Sequence, residues 1–238
     1  MRQDQRTNEE IRPVQFIDDF TENPLASVLV TQGRTKVLCT VSFEDKVPPF
    51  LYGTGRGWLT AEYSMLPGST NTRKQRDINR LKLDGRSSEI QRLIGRSLRS
   101  VIDFKVLGEK SLLIDCDVLQ ADGGTRCASI NGGYRALALA CQRLVDQGTL
   151  AKSPLKHQVG AISVGIVNGH AMADLCYGED SNAQVDMNVI MTEAGEFIEI
   201  QGTGEGKTFT RDEMNTMLDY AQTAIFDILK LQPGHEGR

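Results

Sequence analysis

The chain passes twice through the same succession of patterns, and that repetition constrains its fold more than any single motif. The first pass opens at residues 26–44, ASVLVTQGRTKVLCTVSFE, where two β-branched apolar runs flank Gln32-Gly33-Arg34 and read as a hairpin. Strands are expected at Trp58–Tyr63 and Leu112–Leu119. Between them Ile90, Leu93, Ile94, Leu98, Val101 and Ile102 recur at helical spacing and predict a helix over 87–105. A second helix is expected over 127–147, ending near Gly148. The second pass begins with strands at Val159–Val167 and Ala171–Tyr177, joined by Asn168-Gly169, a pair that suits a two-residue hairpin turn. Strands at Gln184–Thr192 and Phe197–Gln201 then lead into a helix from about Thr210 to Leu231. Each half is hairpin, further strand, helix. The expectation is an α+β fold built from a duplicated β-α unit, with halves of roughly 1–122 and 123–238. No Pro- or Ser-rich linker separates them, so 1–238 is read as one domain.

Several function classes drop out on composition. No apolar run approaches the ~20 residues of a membrane helix, and the opening MRQDQRTNEEIRP is too polar for a secretory signal. The expected address is the cytoplasm. Cys39, Cys116, Cys127, Cys141 and Cys176 are odd in number, form no CxxC and sit mostly in apolar stretches. They read as small buried thiols rather than a disulfide frame or a zinc site. His157, His170 and His235 lack metal-ligand spacing. The net charge of −4 speaks against a nucleic-acid partner until its distribution is considered. From Arg73 to Arg99 basic residues outnumber acidic ones nine to three. A local patch of that kind attracts polyanions whatever the total charge. Much of it lies in the segment Met65–Gly85, which has no apolar period and is expected to be a long loop. Arg92, Arg96 and Arg99 share one region of the following helix and could instead be a solvated face or a subunit contact.

Two helix starts carry arginine. Gly123-Gly124-Thr125-Arg126 stands between a strand and a helix. Glycines there let backbone amides turn toward a ligand, Thr125 could cap the helix, and Arg126 offers a fork that matches phosphate. Asp84-Gly85-Arg86-Ser87 precedes the earlier helix in the same way, with Ser87 as a candidate cap. Arg86 there opposes the helix dipole, a cost that a bound anion would offset. Either motif alone is an ordinary strand–helix turn; two together make an oxyanion site more credible.

The run from Tyr177 to Asn188 supplies acid. Val185, Met187, Val189 and Met191 alternate, so Asp186 and Asn188 face the other side of their strand. Asp180 lies in the turn before it. Two carboxylates near one point could hold magnesium, or one could protonate a leaving oxygen. Asp115 and Asp117 share a face of their own strand and receive no role. Gln201-Gly202-Thr203-Gly204-Glu205-Gly206-Lys207-Thr208 imitates a nucleotide P-loop, but Gln201 occupies the position where that motif requires glycine, so the run reads as a glycine-rich loop near the site. Thr210 and Glu213 after it read as a capping box.

Across nearly its whole length the chain resembles the ribonuclease PH family, bacterial phosphate-dependent 3′-to-5′ exoribonucleases. The matching runs are TKVLCTVSFE, GWLTAEYSMLP, GRSSEIQRLIGRSLR, LIDCDVLQADGGTR, ISVGIVNG, VDMNVIMTE and EIQGTGEG, in the family's order. The resemblance implies a fold of paired ribosomal protein S5 domain 2-type units. It implies that Arg86, Gly124, Thr125 and Arg126 hold the attacking inorganic phosphate, that Asp180 and Asp186 are the acidic active-site pair, and that Arg73 and Arg76 contact RNA. It also implies magnesium (Mg2+) dependence, trimming of tRNA precursor 3′ ends with release of nucleoside diphosphates, the reverse addition of nucleotides, and a homohexamer built as a trimer of dimers. Gly68 departs from the family, which commonly carries arginine after the MLP run.

Overall fold

A computed structural model describes residue 2, residues 4–76 and residues 84–232. Asp77, Arg80 and Lys82 of the basic stretch, part of the expected loop, and the tail with His235 lie outside the described residues.

Five strands form the first sheet: β1 (Val14–Asp18), β2 (Ala26–Gln32), β3 (Thr35–Glu44), β4 (Trp58–Met65) and β5 (Ser111–Gln120). Their order is β1-β2-β3-β5-β4, antiparallel except for the parallel pair β4–β5. A parallel pair needs a crossover. Helix α1 (Gly85–Ser100) and the short α2 (Phe104–Leu107) provide it. Helix α3 (Thr125–Asp146) follows β5. The second sheet contains β6 (Val159–Val167), β7 (His170–Ala173), β8 (Val185–Thr192) and β9 (Phe197–Gly204), in the antiparallel order β7-β6-β8-β9. The one-turn helix α4 (Tyr177–Asp180) joins β7 to β8, and α5 (Arg211–Leu229) closes the chain.

Alternation along the strands assigns the layers. Val30, Cys39, Ile114 and Cys116 of the first sheet are buried in one core with Ile94 and Leu98 of α1 and Ile130 and Leu137 of α3. Ala161 of β6 and Ile190 of β8 join that same core, so the second sheet turns one face toward α3. Ile162, Val164, Met187 and Val189 point the other way, into a second core closed by Met217, Ala221 and Ile225 of α5. The layers therefore run sheet, helices, sheet, helix. Asn131 stitches α3 to the second sheet: its amide donates to the Ala161 carbonyl at 2.9 Å and its Oδ1 accepts from the Ala161 N–H at 2.8 Å.

Close packing of α3 on the first sheet depends on Gly132. A Cβ there would lie 2.6 Å from a Val30 methyl and 2.7 Å from the Cys39 sulfur. Gly132→Ala is expected to cost about 1–3 kcal/mol through overpacking, despite alanine's better helix propensity. Urea unfolding measures it; an unchanged midpoint would mean that the helix can shift without loss.

Local chemistry moved several expected boundaries. The helix expected over 87–105 is two helices, because Val101 leaves helical geometry and the Asp103 carboxylate caps a new start by accepting from the Lys105 and Val106 amides. Neither arginine-bearing helix uses the expected hydroxyl cap. The N-cap of α1 is Asp84, and Ser87 lies inside the helix, buried. The N-cap of α3 is Gly124, and Thr125 is the first helical residue. The expected capping box on α5 is present, with the Thr210 hydroxyl accepting from the Glu213 amide at 3.2 Å and the Glu213 carboxylate from the Thr210 amide at 2.7 Å. Asn168 and Gly169 both take positive φ, 50° and 77°, as the hairpin turn requires. The P-loop imitation is the end of β9 and the loop after it. Arg96 pairs with Glu199 of β9, and Arg99 lies 5.9 Å over the Trp58 ring. Those two cations of the helix face are thus engaged within the chain, Arg96 tying the halves together and Arg99 fastening α1 to β4.

Candidate active site

The site forms where the end of β5 and the start of β8 meet the starts of α1 and α3. After β5 the backbone turns through two consecutive left-handed glycines, Gly123 (φ 75°) and Gly124 (φ 65°). A side chain at Gly123 would collide with the Leu175 carbonyl, so glycine lets this turn press against the segment that leads into α4. No side chain caps α3. Its first amides lack intrahelical partners by the geometry of any helix start, and they carry the positive end of the helix dipole. The α1 start is likewise without a side-chain cap. Each offers donors to an anion.

Arg86 and Arg126, the second residues of α1 and α3, lie close enough for their charges to bear on the same two carboxyls. Both favour ionisation of Asp180 and Asp186. Burial nevertheless dominates. It raises the Asp180 carboxyl, and the Asp186 carboxyl is pushed up to about 6, first by burial and then by the negative charge of Asp180. Glu205, just beyond β9, adds repulsion to both. Asp180 ends α4, and Asp186 projects from β8 toward the α3 side. The expected alternation of β8 is therefore present, and its polar side faces the interior junction of the two halves rather than solvent. Asn188 on that side is buried and accepts a contact from the Cys127 thiol at 3.3 Å.

Three participants escaped the sequence reading. The Tyr63 hydroxyl lies 2.9 Å from the Thr125 hydroxyl and is itself buried. Burial raises its pKa, against the opposing effects of Thr125, Arg86 and Arg126. Arg126 donates to Gln201 Oε1 at 3.3 Å and stands 3.5 Å from Glu89 of α1. Gln201 in turn donates to Glu89 and to Glu199. Tyr63 was visible only as one more apolar position of a strand. Gln201 was noticed as the residue that spoils a P-loop, at the head of a loop expected near the site, but was given no role of its own.

Arg73 and Arg76 are exposed on the segment after β4. Among the described residues no contact joins either to Arg86, Arg126, Asp180 or Asp186. Arg76 instead borders a cavity of about 350 Å³ on the outer side of β4 and β5, with Glu62, Asp115 and Asp117. Asp115 and Asp117 are both raised there, chiefly by burial and then by Glu62.

Among the described residues no group of three or more His, Cys, Asp or Glu side chains could hold a metal ion. A divalent cation here would rest on Asp180 and Asp186 with waters and substrate oxygens. Magnesium commonly binds in that way, through one or two carboxylates. The mutual repulsion of the two half-buried acids fits such an ion, since bound positive charge would relieve it.

Two open helix starts with arginines, facing a pair of acids on a duplicated α+β frame, define an oxyanion site with an acidic partner. Residues 10–141 match the model of the 3′ exoribonuclease family, domain 1, and residues 157–224 match its domain 2, RNase_PH and RNase_PH_C. The chain belongs to that family. Solved structures share the fold. One is the Archaeoglobus fulgidus exosome with RNA bound to the active site, with 21% identity, TM-score 0.81, and coverage of 96% of this chain and 91% of that one. Rice (Oryza sativa) Rrp46 aligns with 18% identity and TM-score 0.78 over 96% and 97% of the two chains. An archaeal exosome core chain gives 22%, TM-score 0.75, 96% and 90%. The α+β fold expected from the repeated pattern is thus the ribonuclease PH-like, S5 domain 2-type fold.

Proposed function

We propose that this chain shortens RNA from its 3′ end by phosphorolysis. The carrying observation is that Arg86 and Arg126, on two different helix starts, act on the same pair of carboxyls, Asp180 and Asp186. Phosphate rests at the α3 start, held by Arg126, Arg86, the Thr125 hydroxyl and the backbone at Gly124. One of its oxygens attacks the phosphorus of the last phosphodiester. The bond to the ribose O3′ breaks, and a nucleoside 5′-diphosphate leaves. Two anions approach each other in this step, so preorganised cations and N–H donors lower the barrier. Phosphate is nucleophilic at neutral pH and needs no strong base. The departing O3′ must gain a proton, and the raised Asp186 carboxyl, protonated up to a pH of about 6, suits that transfer. In the other arrangement both carboxyls are ionised and would hold magnesium, which would then offset charge on the reacting oxygens in place of that proton. Run backwards, the reaction adds nucleotides from diphosphates.

Arg73 and Arg76 extend the positive surface toward the RNA chain. The proposed substrates are tRNA precursors with 3′ extensions, the proposed assembly is a homohexamer built as a trimer of dimers, and the proposed address is the cytoplasm. Arg86→Ala is expected to raise the phosphate KM about 10- to 100-fold, the worth of a charge-assisted bond, with RNA binding changed little. Steady-state rates at varied phosphate and RNA decide it. Equal weakening toward both would make Arg86 an RNA contact instead.

A further inference from the structure

A buried ionic knot lies directly behind the phosphate turn, and none of its members belongs to the proposed catalytic set. Asp174 is fully buried, with a left-handed backbone (φ 53°) that is rare outside glycine. Its carboxylate accepts from the Arg12 amide at 2.7 Å, from Arg12 Nε at 2.9 Å, from Arg12 Nη2 at 2.6 Å and from the Gln32 amide group at 2.7 Å. The same guanidinium donates forward to two backbone carbonyls. One is Asp122, immediately before the Gly123-Gly124 turn, and the other is Leu175, on the approach to α4. Arg12 therefore holds the phosphate turn and the acid-bearing segment in one grip. A second arginine secures the far end of that segment. Arg2 forks onto both Glu179 oxygens at 2.7 Å and donates to the Ala173 and Asp174 carbonyls at 2.8 and 2.9 Å. Glu179 precedes Asp180 and also accepts from the Cys176 amide at the start of α4.

We propose that Arg12–Asp174 and Arg2–Glu179 are positioning pairs that fix Asp180 relative to the phosphate turn. The inference rests on the phosphorolytic reading. A helix of one turn has too few internal bonds to hold its own place, so its orientation must come from outside, and Arg2 and Arg12 supply it. Arg12 grips both sides of the gap, while Arg2 holds α4 through Glu179 and the chain around it through the Thr7, Glu10, Ala173 and Asp174 carbonyls, and among the described residues it has no contact with the phosphate turn. Loss of the Arg2 clamp should accordingly disturb the acid and leave phosphate binding intact.

The test uses the full-length protein with Arg2→Lys and Glu179→Gln, assayed well below their melting temperatures. Lysine keeps the charge but cannot reproduce the fork, and glutamine keeps an acceptor for the Cys176 amide. Each variant should lose about tenfold or more in kcat, since a small misplacement of a reacting group is costly, with the phosphate KM within about twofold of the parent. The double variant should lose no more than the worse single one. Asp180→Asn is run alongside. If it keeps full activity, Asp180 has no catalytic part and the clamps have nothing to position, so the positioning proposal fails while phosphorolysis stands; a parent protein that releases no nucleoside diphosphates in the presence of phosphate is what would sink the phosphorolytic reading itself. If Asp180→Asn is impaired while both clamp variants keep parental kcat, or raise the phosphate KM as much as they lower kcat, the positioning proposal is overturned.

Discussion

Asp186→Asn is expected to slow phosphorolysis by about 10²–10⁴-fold, the range for a lost acid–base group, and at the same time to stabilise the metal-free protein. The second effect follows from the first residue's environment. Burial and the neighbouring Asp180 charge raise the Asp186 carboxyl to about 6 from an ordinary value of 3.8. A carboxyl whose pKa rises on folding binds its proton more tightly in the native state. Its stabilising contribution is complete below the unfolded value and is lost as pH rises through about 6. At neutral pH the ionised side chain therefore opposes folding, and asparagine removes that opposition, worth about 1–3 kcal/mol. Thermal unfolding with a chelator at pH 4 and pH 7.5 should show the variant gaining over the parent only at the higher pH. An equal gain at both would assign it to something other than charge. A variant that is stabler and slower is the signature of a site whose strain serves function.

The largest stability effect is expected at Arg12→Ala. The Arg12 side chain is 5% exposed and Asp174 is 0% exposed, so water cannot replace the lost partner. Truncation leaves a buried carboxylate with only the backbone amide of position 12, Gln32 and the more distant Arg6, and frees the Asp122 and Leu175 carbonyls. Breaking a buried pair from one side costs about 3–5 kcal/mol, a large share of the stability of any domain. Urea or thermal unfolding of the purified variant measures it. A loss under about 1 kcal/mol would mean that the cluster rearranges around the gap, and that Arg12 does not hold the turn.

Most of the frame was legible because it is periodic. The alternation of β8 separated Asp186 and Asn188 from the apolar side correctly, and the stripe from Ile90 to Leu98 is the buried side of α1. Single-turn and edge elements carry too little pattern to be read. Strand β1, at the sheet edge, and helix α4, four residues long, were both missed. The caps misled for a different reason. Serine and threonine are common caps, but a hydroxyl spent on capping would occupy the amides that an anion needs. Here Gly124 takes the cap position, and Thr125 turns its hydroxyl to Tyr63 instead. Long-range partners were the least accessible. Arg12 and Asp174 lie 162 residues apart, and nothing in either local segment announces the other.

The most direct test of the central claim incubates the purified protein with magnesium and an RNA labelled at a free 3′ end, with and without inorganic phosphate, and identifies the released nucleotides by mass. Nucleoside diphosphates appearing only when phosphate is present are the predicted result. Monophosphates released without phosphate would contradict it by showing hydrolysis, and RNA bound but never shortened would make the chain a non-catalytic RNA-binding subunit.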